Sequence, residues 1–233
     1  MYKWIAFLGL AAFAACSQAC SVADFAEDVY MNGHQMAYSD KTSNLDGDLI
    51  NAIATLRVSD SQIPYLRIDA ANRAEIVNRS AVDGIEVPSR VVVRYEESTV
   101  GQDGGFFTSL AFVRMIAKVE EGQILTEQTP AASDPVDIIE DWMSGMEDGY
   151  LTIHYRIRAG GQVKHSFSLW YDTADPHSVR IIHDACSDQG TDLTEGIICF
   201  PLDFLPQDGL RSITVSFKSL QGESGTVTYN EDS

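Results

Sequence analysis

Cysteine and histidine are few enough in this chain to be weighed one by one. Cysteines stand at 16, 20, 186 and 199, and histidines at 34, 154, 165, 177 and 183. A structural zinc needs ligands at close, fixed spacing, and no HxxxH or CxxC arrangement occurs. His154 falls on the polar parity of one strand-like run and His165 on the apolar parity of the next. The two imidazoles should therefore diverge, one to the surface and one to the edge of a core. A serine nucleophile would need a Gly-x-Ser-x-Gly elbow, and none is present. The acid pairs Glu140/Asp141 and Glu147/Asp148 are of the residue types that cleave glycosides. Adjacent acids on an extended segment point to opposite faces, however, so these four predict a solvated rim. Asp46-Gly47-Asp48 lacks the further acidic ligand of a calcium loop. Asp184, Asp188 and Asp192 fit a solvated loop better than a calcium site. No catalytic residue, metal or cofactor is expected.

One cysteine carries a stronger signal. A single basic residue, Lys3, precedes a 12-residue apolar run, Trp4 to Ala15, that ends in small residues. Such a run is a secretory signal, too short for a membrane span of about 20 residues. Phe13-Ala14-Ala15-Cys16 resembles the bacterial lipobox, in which the cysteine thiol receives a diacylglyceryl group and the preceding residues are removed. Lipidation at Cys16 and a signal peptide over residues 1–15 follow. Two or more acyl chains hold a protein stably on a membrane that it does not cross. The lipid anchor makes a membrane of the cell envelope the first expected partner, the outer membrane in a Gram-negative cell. In an exported chain, Cys186 and Cys199 flank a turn-rich stretch and are expected to form a disulfide across a hairpin. A loop of that length would stabilise by about 3 kcal/mol in the chain-entropy model.

Charge separates the chain into units. The 233 residues carry a formal −18. Residues 16–51 carry −5, residues 52–130 only −3, and residues 131–233 carry −11. So acidic a chain repels a polyphosphate backbone, which argues against nucleic acid as a partner. Residues 16–49 have no sustained hydrophobic period and read as an acidic tether.

From residue 50 the pattern turns to short strands. Ala54 to Val58, Tyr65 to Asp69 and Val91 to Glu96 are three of them, and Pro64 and Pro88 punctuate the chain between them. Between Phe106 and Val119 apolar residues fall on both parities, as in a strand buried on both faces or bent around a barrel corner. Five or so short strands suit an OB-type barrel over residues 50–128. Its arginines alternate with acids and predict salt bridges on a barrel surface, not a nucleic-acid groove.

Residues 127–135 read as a linker, and residues 134–230 as a second all-β unit. In Leu151 to Arg158 the odd positions are apolar and the even ones polar. After Gly160-Gly161 the same alternation resumes at Val163, and it returns at Ile213 to Lys218 and at Thr226 to Tyr229. One buried and one wet face per strand predicts an immunoglobulin-like β-sandwich of about seven strands. Trp170 breaks the pattern by standing on the polar parity. With Tyr171 and Trp142 it forms the candidate binding surface for a protein or glycan, or else a packing surface toward the barrel.

Several stretches of this last unit resemble a known family. Asp134-Pro135-Val136-Asp137 leads to Trp142, and Glu147-Asp148-Gly149-Tyr150 opens the first long strand. Phe200-Pro201-Leu202-Asp203-Phe204-Leu205-Pro206 follows, then Val215 to Leu220. The series resembles the NigD-like lipoproteins of gut and oral Gram-negative anaerobes. The resemblance implies an OB-type domain before a β-sandwich. It implies no family-wide activity and no ligand residues. The expectation is a non-catalytic envelope lipoprotein that binds a protein or glycan. The alternative is an accessory or immunity factor linked to a bacteriocin system.

Overall fold

The computed structural model describes residues 49–99, 105–126, 133–161, 163–205 and 212–231. The signal segment, Cys16, Cys20, His34 and the tether up to residue 48 lie outside the described residues, as does most of the expected linker.

Five strands form a closed barrel: β1 (Leu49–Val58), β2 (Pro64–Arg67), β3 (Arg73–Ile76), β4 (Ser89–Thr99) and β5 (Ser109–Lys118). Their order is β1-β2-β3-β5-β4, closing back on β1, with β3 and β5 parallel and the other pairs antiparallel. This is the OB topology that the sequence predicts. Even positions of β1 (Ala52, Ala54, Leu56) and odd positions of β4 (Val91, Val93, Tyr95) fill the interior. Alanines at 52, 54, 74 and 111 let so small a barrel close around Leu56, Leu66 and Tyr95. Burial pushes the Tyr95 phenol up to about 12.

The double parity of β5 has a local cause. Arg94 pairs with Met115 and Tyr95 with Val113, so Arg114 is an extra residue with no partner across the ladder. This bulge inverts the alternation. Ala111 and Val113 point into the barrel before it and Ile116 after it, while Met115 turns outward to a second cluster.

The sandwich has two sheets. The first runs β6 (Glu120–Glu121), β13 (Asp192–Pro201), β10 (Tyr150–Ala159), β8 (Asp137–Ile139), with β9 (Gly145–Glu147) also on β10. The second runs β15 (Ser224–Asn230), β14 (Ser212–Lys218), β12 (Asp175–Asp184), β11 (Ser166–Asp172), β7 (Gln123–Leu125). Their facing sides share one core, which includes Leu151, Ile153, Leu169, Ile181, Phe200 and Val215.

The expected boundary at residue 128 is corrected here. Barrel strands end at Lys118, and residues 120–125 already belong to the sandwich. β6 pairs with β13 of one sheet and β7 with β11 of the other, so one short segment changes sheets and ties their edges together. Gly122 stands at the crossing. A Cβ there would overlap the fully buried Phe200 ring, so only glycine fits. Two strands this short leave too little alternation for a sequence reading to assign.

Candidate functional site

The polar parity of β10 faces the barrel and not water. Thr152 and His154 are 1% exposed. On that side of the sheet, Ile197, Cys199 and Met143 pack against Ile53, Val92 and Val119. The outer sides of β1 and β4 thus close over the outer sides of β10 and β13. The surface imidazole expected at 154 is a buried one. Alternation excludes a residue from the sandwich's own core, but a neighbouring domain can still cover it.

Ion pairs lock the two units together. Arg90 is 3% exposed and satisfied on every nitrogen. Its Nε donates to Thr152 Oγ1 at 3.2 Å, one terminal NH₂ to Thr55 Oγ1 at 3.1 Å and the other to Glu147 Oε2 at 2.7 Å. Asp148 accepts from Arg57 Nε at 2.7 Å and from Arg67 at 2.7 Å. Its side chain is only 6% exposed. The hydrogen bond to Asp148 raises the Arg57 pKa against the effect of burial.

Local backbone explains the aim. Asp148 and Gly149 both have positive φ, +50° and +82°, and form a two-residue hairpin between β9 and β10. Asp-Gly favours this turn, which places the carboxylate at its tip against the barrel. The solvated rim expected for Glu147 and Asp148 is corrected accordingly. They are the sandwich's half of an interdomain clamp. Arg79 and Arg114 form the expected salt bridges on the barrel, Arg73 lies over the Phe106 ring and Arg94 bonds Asn51 instead, and Arg57, Arg67 and Arg90 reach across domains. An Asp-Gly turn beside an acidic pair was the sequence signal for this clamp.

Beside the clamp lies a cleft of about 230 Å³. Asn51, Asp69 and Arg90 line it from the barrel, and Trp142, Met143 and Glu147 from the sandwich. Trp142 is 51% exposed at this cleft. Asp141 braces the turn that carries it. Its Oδ1 accepts the Met143 N–H at 2.9 Å, and its Oδ2 meets His154 Nδ1 at 2.9 Å. His154 Nε2 faces Glu195 Oε2 at 3.5 Å, and Arg156 pairs with Glu195. A buried imidazole between two carboxylates thus underpins the tryptophan turn.

The three aromatics expected to form one surface are separated. Only Trp142 reaches the cleft. Tyr171 packs on the sandwich core and stacks on Phe204 at 4.1 Å. Trp170 lies on the opposite parity of β11, on the outer side of the second sheet, between Leu125 and Arg180 in register. That side is turned away from the barrel, so Trp170 does not serve as packing toward it.

The expected disulfide is corrected too. Both thiols are free: Cys186 is exposed and Cys199 is buried. β12 and β13 belong to different sheets, so the stretch between the cysteines is a sheet-to-sheet connection and not a hairpin. Cys199 sits opposite Thr152 under the barrel, where burial pushes its thiol up to about 12. Cys186 sits in the turn leaving β12, at φ +52°.

That connection carries a second polar cluster. His165 Nδ1 and His183 Nε2 are 2.9 Å apart, His165 Nε2 meets Asp188 Oδ2 at 3.0 Å, and His183 Nδ1 meets the Pro135 carbonyl at 2.9 Å. The Pro135 oxygen and the Asp188 carboxylate only accept, so closing all three contacts takes three N–H protons on two rings. Burial lowers the His183 pKa, which favours that ring as the neutral one. Hydrogen bonds from the Gly160 N–H, then from His165, hold Asp188 at about 2. All four ring nitrogens are occupied, so neither histidine is available to activate a nucleophile. Among the described residues no group of three His, Cys, Asp or Glu side chains is placed to hold a metal ion.

Residues 116–230 match the NigD-like C-terminal beta sandwich domain. No curated protein matches the chain. Solved structures that share its fold include the three that follow. A toxin-related protein of Parabacteroides distasonis ATCC 8503 is 23% identical with a TM-score of 0.64, covering 79% of this chain and 95% of its own. A Bacteroides vulgatus ATCC 8482 protein of unknown function, DUF1344, is 20% identical with a TM-score of 0.63, covering 80% and 92%. A NigD-like immunity protein of Bacteroides caccae ATCC 43185 is 16% identical with a TM-score of 0.52, covering 82% and 100%.

Proposed function

The chain belongs to the NigD-like family through its β-sandwich, and we propose that it is a non-catalytic binding protein held on the outer membrane by a lipid at Cys16. The observation that carries this reading is the interdomain cleft with Trp142 half exposed at it. Every strongly basic or acidic group around it is already committed. Arg90 and Glu147 pair with each other, and Asp69 accepts the N–H groups of Ala71 and Asn72. Such a site holds its shape but offers no poised acid, base or nucleophile. The apolar run ending at Ala15-Cys16 supports the anchor.

The experiment places a photoreactive residue at 142 and, separately, at the exposed Leu193 in intact cells. Adducts that form at 142 and not at 193 are expected. Equal labelling at both, or none, removes the cleft as a binding site. Cys16→Ala should move the protein from the membrane to the soluble fraction, and unchanged fractionation rejects the anchor.

A second reading has one observation in its favour, the fold shared with the B. caccae NigD-like immunity protein. As an accessory or immunity factor, the chain would protect its cell from a toxic peptide encoded nearby. Deletion would then sensitise the cell to that peptide, and unchanged sensitivity rejects this reading.

A further inference from the structure

The ligand class of the cleft can be narrowed, on the premise of the binding reading above. We infer that the cleft at Trp142 is a saccharide subsite for a single neutral or basic pyranose ring.

Size is the first reason. At about 230 Å³ the cleft lies below the roughly 300–1,000 Å³ of pockets for drug-sized ligands and matches the volume of about eight waters. An extended peptide or an acyl chain would overrun it. A sugar ring would not.

The lining is the second reason. A pyranose presents an apolar C–H face and an equatorial belt of hydroxyls. Trp142 offers a half-exposed indole, and Met143 and Ile53 extend the apolar wall. Groups suited to a hydroxyl belt stand opposite. Glu147 commits Oε2 to Arg90 and keeps Oε1. Asn51 Oδ1 accepts from Arg94 Nε at 2.8 Å, which leaves the amide donors of Asn51 for a ligand. A greasy peptide side chain would leave these polar groups desolvated and unpaired, at a cost that a sugar avoids.

Pre-organisation is the third. The turn bearing Trp142 is fixed by Asp141 on the buried His154, and Glu147 is fixed by Arg90. The backbone that carries Trp142 and the Glu147 side chain are thus set before binding, which lowers the ordering cost.

Charge selects within the class. Asp69 and Glu147 outnumber Arg90 at the cleft, on a chain of formal charge −18. Sugar carboxylates and sulfates are repelled, while a hydroxyl or an ammonium is not. Burial works against the ionised Asp69, but hydrogen bonds from Asn72 and Ala71 prevail and its pKa is lowered. Asp69 therefore stays a carboxylate and is no proton donor for glycosidic cleavage.

The test titrates the purified full chain with methyl glucopyranoside, methyl galactopyranoside, glucosamine and glucuronate, by calorimetry and by tryptophan emission in a Trp4→Phe/Trp170→Phe variant, which keeps Trp142 alone. Saturable binding of a neutral or amino sugar is expected, with glucuronate at least about tenfold weaker. Trp142→Ala should abolish it, and because that side chain is half exposed the variant should still fold. Asn51→Ala should weaken it about tenfold while Trp142 emission still responds. If none of the four sugars binds while position 142 still crosslinks to a protein in cells, the saccharide assignment falls and the binding reading stands. If neither occurs, both fall. A preference for glucuronate overturns the charge argument and the proposal with it.

Discussion

The two outer faces of the sandwich carry the same alternation and meet different fates. On β10 and β13 the outward residues are Thr152, His154, Ile197 and Cys199, and all are buried beneath the barrel. On β14 and β15 the outward residues are Thr214, Ser216, Thr226 and Thr228, and the two threonines of β15 are exposed. Period-2 patterning says which residues stay out of a sheet's own core. It does not say what lies on the far side. One clue separates the two faces. The covered side mixes Ile197 and Cys199 with its polar residues and faces Arg90 and Thr55, whereas Thr214, Ser216, Thr226 and Thr228 on β14 and β15 are serine and threonine alone.

Removing Arg90 is the sharpest way to break the comparison. Arg90→Ala leaves the Thr55 and Thr152 hydroxyls buried without their donor and strips Glu147 of its cation. A loss of about 3 kcal/mol is expected by chemical denaturation. Thr228→Ala on the wet face should change stability by less than about 0.5 kcal/mol. Comparable effects at the two sites would mean that the interface is not formed.

Asp148→Asn tests the coupling itself. It keeps the turn but removes the charge that Arg57 and Arg67 share. A loss of about 1–2 kcal/mol is expected, with the single unfolding transition splitting into a barrel step and a sandwich step. A single transition at an unchanged midpoint would show that the apolar layer around Ile53, Val92 and Ile197 holds the domains without the clamp.

The barrel and the sandwich were legible from alternation and punctuation, because each strand's inward residues serve its own core. Ala52, Ala54 and Leu56 in β1, and Leu151, Ile153 and Ile157 in β10, needed no partner domain to be assigned. What escaped were contacts between units. Arg90 meets Glu147 across 57 positions and Arg57 meets Asp148 across 91, and no local period links residues so far apart. The β6–β7 crossing escaped for another reason, since its identity depends on pairing partners and not on its own side chains. Of the three aromatics of the candidate surface, Trp142 lines the interdomain cleft, whereas Trp170 and Tyr171 belong to the second sheet, a separation that no local pattern shows.

Acid should weaken the second polar cluster in two windows. The folded pKa of His183 lies below its ordinary 6.5, so the native state binds fewer protons there than the unfolded chain. Its contribution is complete above pH 6.5 and is lost as pH falls through the lowered value. Asp188, held at about 2 against an ordinary 3.8, contributes fully above pH 3.8 and loses that contribution as pH falls toward 2. Denaturation midpoints should therefore drop between pH 7 and pH 5. His183→Asn should flatten that first drop and leave the second, and an unaltered profile in the variant would place the titrating group elsewhere.

The smallest effect expected is that of a reductant. Cys186 is exposed in the turn that leaves β12, while Cys199 lies on the covered face, its thiol pushed up to about 12 by burial. A thiol reagent should modify Cys186 in the folded protein at once and Cys199 only as the chain unfolds. Reducing agent should then move the denaturation midpoint by less than about 0.5 kcal/mol, against the roughly 3 kcal/mol that a disulfide closing this loop would confer. The same experiment reports on the interface. If Asp148→Asn lets the barrel lift from the sheet, Cys199 becomes reactive before global unfolding. If Cys199 stays silent until the sandwich melts, the covered face is protected by the apolar layer and not by the clamp.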